Sequence, residues 1–293
     1  MINSQKKATI SLVLSMFIFG TIGIFVRHIP MPSSLIALCR GLIGTVFLLV
    51  VTRATGRKLS REAVRKNLRY LIISGGLIGF NWIMLFEAYR YTTVATATLC
   101  YYLAPVFVIL VSPLVLKEKL TAGRLFCALA ALLGMVFVSG VPESGIPSLG
   151  EARGILFGVG AAVFYASVIL LNKKMQDIGS YDMTIMQLGV SALVVLPYVL
   201  LTMEPAEIQV GGLSFLLLLV VGIVHTGVAY TLYFGSVSSL KGQTVALYSY
   251  IDPVVAIILS AVLLGEAMTV WSGIGAVLVL GSTFCSEILE KGR

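Results

Sequence analysis

Charge is what this sequence has least of. Of its 293 residues, 12% are Asp, Glu, Lys or Arg, against about 25% in a soluble domain. That leaves too little polar surface to cover a globule in water. Cysteine is scarce too. Cys39, Cys100, Cys127 and Cys285 lie in apolar segments, without a Cys-x-x-Cys pair or a nearby His. This excludes a disulfide framework and a metal centre, and the four read as small buried hydrophobes. The chain also lacks a Walker sequence, a Gly-rich dinucleotide loop, a His-Glu-x-x-His and a nucleophile elbow. No cofactor or catalytic role is expected, and a gradient is the expected energy source.

What the chain has in abundance is apolar sequence, 58% of all residues, with a mean hydropathy of +1.00. Several runs reach the roughly 20 residues needed to cross about 30 Å of hydrocarbon. The expected fold is an all-α integral membrane protein with ten transmembrane helices. The spans fall near residues 8–26, 34–52, 68–87, 94–116, 122–140, 154–171, 181–201, 213–234, 242–264 and 270–285. The basic start followed by an apolar run resembles a signal peptide, but the run is long, lacks a small-residue cleavage site and is followed by Arg27. Between spans two and three, seven basic residues from Arg53 to Arg69 surround Leu59, Val64 and Leu68. Ser60 can cap a short helix there. Such a segment suits an anionic membrane surface or serves as a solvated connector.

The formal net charge of +8 marks a membrane face, not a nucleic-acid partner. With the N-terminus inside, the inner segments hold Lys6, Lys7, the seven basic residues after Thr52, Lys117, Lys119, Arg124, Lys173, Lys174, Lys241, Lys291 and Arg293. The outer loops hold Arg27, Arg90 and Arg153. The bias predicts a multi-pass protein of the cell (plasma or inner) membrane with both termini cytoplasmic.

The chain also repeats itself. Leu99, Tyr102, Pro105, Glu118 and Thr121 recur as Leu247, Tyr250, Pro253, Glu266 and Thr269, always 148 positions on. The Pro/Gly/Ser interruption at 141–150 separates residues 1–141 from 151–293. Five spans per half make the repeats inverted, the design of secondary transporters, with two similar bundles facing a midplane site. Gly75-x-x-x-Gly79 and Gly154-x-x-x-Gly158 permit close helix approach, used for packing within the bundle or for a homodimer contact.

Polar residues inside the spans are the site candidates. Pro105 and Pro253 each free a carbonyl one turn earlier, at Tyr101 and Ser249, and predict bent helices beside a cavity or passive kinks. Asp252 lies at mid-depth, where a carboxylate is costly, and its repeat counterpart is Ala104. It reads as a substrate-amine or proton site, with Tyr248 one turn away, or as a carboxylate satisfied by a neighbouring helix. Arg40 snorkels to the interface, or pairs with a substrate carboxylate or with Asp252; its counterpart is Gln187. His225 and Asn81 are relay or cavity groups, or hydrogen-bonded core residues. Tyr101, Tyr165 and Tyr230 are wall or lipid-facing residues. Glu118 and Glu266 suggest a structural or gating ion pair, and Glu87 with Arg90 a surface pair.

Taken together, the aromatic, Gly-bearing cluster from Met16 to Gly23, Arg40, and the Pro105/Glu118 and Pro253/Glu266 pairs resemble the EamA type of the drug/metabolite transporter superfamily, over nearly the whole chain. The resemblance makes residues 1–141 the first EamA-type repeat and 151–293 the second. It implies a ten-helix carrier with a basket-like central cavity, working by alternating access, with a small-molecule substrate and a coupling proton or cation. An exporter of amino acids or related metabolites is expected; an organic-cation, quaternary-amine or drug carrier is the alternative, and a non-transport membrane scaffold or enzyme a distant third.

Overall fold

The computed structural model describes residues 2–92, 94–138, 152–203, 211–264 and 269–291. The interruption at 141–150 and Glu266 lie outside the described residues, so the expectations placed on them have no structural counterpart. Among the described residues there is no strand. The described residues form thirteen α-helices and one π-helical segment: α1 (Ile2–Val26), α2 (Ser33–Ala54), α3 (Arg61–Tyr91), α4 (Val94–Tyr101), α5 (Ala104–Leu116), α6 (Ala122–Val138), α7 (Ala152–Lys174), α8 (Ser180–Thr202), α9 (Gly212–Val220), the π segment (Val221–Val228), α10 (Ala229–Ser239), α11 (Gly242–Tyr248), α12 (Ile251–Leu264) and α13 (Val270–Lys291). Among the described residues eight stretches are long and apolar enough to cross a membrane, and Ala122–Phe137 and Gly273–Cys285 are shorter apolar helices.

The chain divides into two compact units that do not coincide with its sequence halves. One comprises residues 1–83 and 171–239, the other 84–170 and 240–293. Each therefore draws helices from both halves.

In the first unit, α2 packs on α8 and on the π segment, and α1 packs on α10. Glycines set these distances. A Cβ on Gly44 would stand 3.1 Å from the Gly222 carbonyl oxygen, and one on Gly75 3.0 Å from that of Gln187. Gly79 lies equally close to Val194 and Ser191. The Gly75/Gly79 face is thus occupied inside the chain, as van der Waals packing between membrane helices favours. An apolar core of Ile29, Ile36, Leu218 and Val221 closes one end.

The basic segment after span two is not a separate short helix. From Arg61 onward it forms the first turns of the 31-residue α3. Ser60 does cap it, accepting the Ala63 N–H at 3.2 Å. The start is then pinned to the α7–α8 loop. Asn67 donates to the Gln176 carbonyl at 2.8 Å and accepts the Gln176 N–H at 3.1 Å. The Ser60 N–H reaches Asp182 at 3.2 Å. These polar bonds let the apolar periodicity of span three run on into the basic segment without a break.

In the second unit, α6 packs on α13 and α5 on α11. A Cβ on Gly134 would meet the Gly275 carbonyl oxygen at 2.8 Å. Gly158 of α7 lies against Ala97 and Cys100 of α4, and Gly154 against Thr92, so the second Gly-x-x-x-Gly face is also used internally. Of the cysteines, Cys127 is buried and Cys285 exposed. Burial was expected for both. Cys285 sits on an α13 face that also exposes Phe284, Ile288 and Leu289, a surface suited to lipid.

Candidate functional site

The helices of the spans that bear Pro105 and Pro253 are interrupted. α4 ends at Tyr101 and α5 begins at Ala104; α11 ends at Tyr248 and α12 begins at Ile251. Pro105 sits in the first turn of α5, and Pro253 occupies the matching place in α12. The missing N–H is harmless there, because first-turn amides have no intrahelical partner. Around the breaks the ladder tightens to three-residue bonds, Leu103 N–H to Cys100 at 3.1 Å and Tyr250 N–H to Leu247 at 3.2 Å. Side chains supply further bonds. Tyr250 donates its hydroxyl to the Tyr102 carbonyl at 2.9 Å, and Thr283 donates to the Leu247 carbonyl at 3.3 Å.

The break changes how Asp252 is accommodated. It lies in the first turn of α12, where the partial positive charge of a helix N-terminus favours a carboxylate. A helix starting within the span gives this acid a partner that a continuous helix would not. Tyr248 is buried at the end of α11, before the break. Asp252, after it, lies within electrostatic reach of Tyr89 and Tyr102. Tyr101 packs on Tyr165 with centroids 5.5 Å apart and on Tyr102 at 5.9 Å, and Tyr102 on Tyr250 at 6.4 Å. A carboxylate and five tyrosines thus gather about the two breaks of the second unit.

The first unit carries a different cluster. The Arg40 guanidinium lies 4.6 Å from the Trp82 ring centroid, and Nη2 reaches the Tyr230 hydroxyl at 3.5 Å, the long limit for such a bond. Nε is buried and, among the described residues, has no hydrogen-bond partner. Arg40 is thus held against aromatic rings of α3 and α10. Phe19 packs edge-on to Tyr230 at 5.1 Å, and Asn81 is buried beside Trp82.

His225 lies in the π segment. Its Nε2 bonds the Thr21 hydroxyl at 2.8 Å, and Phe25 packs 4.9 Å from the ring. Thr226 donates to the Val221 carbonyl five residues back at 3.0 Å. Such π segments are rare and recur at functional sites.

Gln187 is fully engaged elsewhere. Its amide nitrogen donates to Ser74 and to Asn172 Oδ1, and its oxygen accepts from Asn172 at 3.5 Å. Glu118, expected in an ion pair, has main-chain amides as its partners among the described residues. It accepts the Gly242 N–H at 2.7 Å and the Gln243 N–H at 3.2 Å, because the start of α11 presents unpaired amides to it. Glu87 and Arg90 do pair, at 2.9 Å. Sequence reasoning missed Thr21, Tyr89 and the Ser74–Gln187–Asn172 network. Their partners come from helices distant in sequence, and only the fold joins them. Among the described residues no group of three His, Cys, Asp or Glu side chains could hold a metal ion.

Fold and clusters define a class: a multi-pass, all-α membrane protein with a guanidinium and a carboxylate set among aromatic rings inside its spans. The chain belongs to the EamA-like transporter family, whose profile matches it twice, over residues 6–140 and 152–287. It is 30% identical to an uncharacterized transporter, YxxF, of Bacillus subtilis, over 100% of this chain and 94% of that one. It is 26% identical to human solute carrier family 35 member G1, over 76% of this chain and 63% of the relative. It is also 26% identical to a Pseudomonas aeruginosa protein named pseudopaline exporter CntI, over 75% of this chain and 74% of that one. A crystal structure 22% identical in sequence superposes with a TM-score of 0.83, covering 97% of each chain, and shares the fold.

Proposed function

We propose that this transporter is a secondary-active exporter of amino acids or related small metabolites, and that Arg40 receives the substrate carboxylate. One observation carries this reading: a guanidinium inside a span, with a buried unpartnered Nε, one long bond to Tyr230 and an aromatic face at Trp82. Arginine is a rigid fork suited to planar carboxylates. A guanidinium left short of acceptors in a span is costly, and an incoming carboxylate relieves that cost. The relative named as an exporter supports the direction.

In this reading the two family matches are inverted five-span repeats and the chain works by alternating access, driven by a gradient of protons or another cation. Ten spans follow when α6 and α13 also cross. The charge bias places both termini in the cytoplasm and the protein in the cell membrane.

A second reading rests on Asp252 and the tyrosines around it. A carboxylate beside aromatic rings suits an organic cation through charge and cation–π attraction.

Flux in proteoliposomes separates the two. Amino acids should be carried and their decarboxylated amines should not. R40Q should reduce amino-acid flux by roughly 10- to 100-fold, the worth of a charge-assisted hydrogen bond, at unchanged protein level and melting temperature. Undiminished amino-acid flux in R40Q would rule out Arg40 as the carboxylate partner. Cation flux that is lost in D252N and indifferent to R40Q would establish the second reading.

A further inference from the structure

We propose that His225 and Thr21, set between the main-chain carbonyls of Ile18 and Val220, form a binding site for one proton. All four residues belong to the first unit. Thr21 Oγ1 lies 2.7 Å from the Ile18 carbonyl oxygen and 2.8 Å from His225 Nε2. His225 Nδ1 faces the Val220 carbonyl oxygen at 3.5 Å, the outer limit for a hydrogen bond. The His225 side chain is buried, 1% exposed, and so depends on these partners.

Counting hydrogens decides what this row of atoms lacks. It has a carbonyl at each end, and a carbonyl only accepts. Its three contacts therefore need three hydrogens. The Thr21 hydroxyl supplies one and a neutral imidazole one. Whichever tautomer is drawn, one contact is left as two acceptors face to face. An imidazolium supplies the third hydrogen. Nδ1 then donates to Val220, Nε2 to Thr21 and Thr21 to Ile18. The row is complete only with an added proton.

The fold builds this row. Nδ1 stands over a carbonyl five residues back because His225 lies in the π segment, and Thr226 makes the same reach to Val221. On the other side α1 supplies Thr21, with Phe25 packed 4.9 Å from the imidazole. Of the elements packed on the π segment, α2 brings Arg40, within electrostatic reach of the ring, and Cys39, with Arg53 in its last turn. α10 brings Tyr230 and Tyr233. α1 carries Lys6 and Lys7 near its start, and Arg27 and His28 are exposed just past its end. α9 has no titratable side chain. These four helices hold no Asp or Glu.

Like charges at Arg40 and His225 oppose each other. A carboxylate arriving at Arg40 offsets that repulsion, so substrate and proton favour each other's binding, reciprocally. This step rests on the reading of Arg40 given above. A proton bound with the substrate leaves with it, so of the two driving gradients the other cation's is left to power export.

The test uses the purified full-length protein carrying H28Q and ring-15N histidine, which leaves His225 as the one histidine. Nitrogen NMR reads both ring nitrogens between about pH 4 and pH 8, the range that brackets histidine titration. Both should become protonated in the folded protein as pH falls. T21V keeps the shape and removes the acceptor for Nε2, and should weaken proton binding roughly tenfold, the worth of a hydrogen bond to a charged group. T21S should restore it. A ring that stays neutral throughout, or a T21V midpoint level with the parent, would overturn the proposal. The first of these needs no change at the site, so it decides even where T21V does not fold. A mixture of neutral L-amino acids, set against their decarboxylated amines, reads the link to Arg40. The amino acids should tighten proton binding in the parent and not in R40Q. No response to them, with T21V still shifted, would refute the link to Arg40 and leave the proton site standing.

Discussion

Tyr250 donates its hydroxyl to the main-chain carbonyl of Tyr102, its own counterpart 148 residues earlier, at 2.9 Å. The two residues mark the breaks in the spans that bear Pro105 and Pro253, so one repeat satisfies the backbone group exposed by the other. Tyr250 is fully buried, and hydrocarbon offers no replacement partner. Y250F should therefore destabilise the protein by about 1–3 kcal/mol, the cost of an unmet buried acceptor. Y102F keeps this bond, because only the carbonyl takes part, and should cost less. Thermal unfolding in detergent compares the two. Equal losses would show that ring hydroxyls in general, and not this bond, hold the break.

The Ser74–Gln187–Asn172 network yields a second prediction. Both amide hydrogens of Gln187 and its oxygen are engaged within the first unit. Q187L would leave Ser74 and Asn172 short of partners and should cost about 1–3 kcal/mol. Substrate preference should not change. Altered selectivity in proteoliposome flux, at unaltered stability, would return Gln187 to the transport pathway.

These two cases mark how far the sequence could be read. Span positions were legible because hydropathy over about 20 residues is a strong signal, and so were the paired interruptions, because a Pro/Glu spacing recurs at a fixed offset. Side-chain partners were not. Gln187 was singled out as the counterpart of Arg40, yet its partners come from α3 and α7. Glu118 suggested an ion pair because helix amides have no sequence signature. Arg40 and Asp252 stood out by cost alone, and their aromatic surroundings came from helices distant in sequence. The boundary of α3 was misplaced because a basic segment reads as a connector until Gln176 and Asp182 are seen to hold it.

Close helix approach gives a paired prediction. An added methyl at Gly134 meets the Gly275 carbonyl oxygen at 2.8 Å, and backbone cannot swing aside as a flexible side chain can. G134A should cost about 1–3 kcal/mol through overpacking. Gly76 has nothing within 4 Å of the same methyl, so G76A should be neutral or stabilise by roughly 0.5–1 kcal/mol from helix propensity. Melting temperatures of the two variants should fall on opposite sides of, or at most level with, the parent; equal destabilisation would contradict the packing account.

A pH-dependent contribution comes from the α7–α8 loop. Lys66 lies 2.7 Å from Asp177 and holds its carboxyl below the usual range, through the hydrogen bond first and the charge second. A depressed folded-state pKa means that the stabilisation is present above about pH 4, the unfolded value, and is lost as pH falls through the lower folded one. Both side chains are exposed, so the effect is small and salt-screened. Asn tolerates the left-handed backbone of Asp177, φ 54°, and D177N isolates the charge. Its melting-temperature deficit at low salt should shrink as pH falls from 6 to 3 and disappear only below the folded pKa, as linkage requires. A deficit that grows on acidification would reverse the assignment.

Lys117 separates backbone strain from side-chain charge. Its left-handed backbone, φ 57°, costs a residue with a Cβ about 1–2 kcal/mol that glycine does not incur. K117G should therefore raise stability by about 1 kcal/mol, somewhat less than the relieved strain because glycine loses more freedom on folding. K117A removes the charge but keeps the strain, so it should bring no such gain. Melting temperatures in detergent compare the two variants. Were K117G to lower stability, the lysine would be holding the helix end by its side chain; a gain in K117G that K117A lacks locates the strain in the backbone.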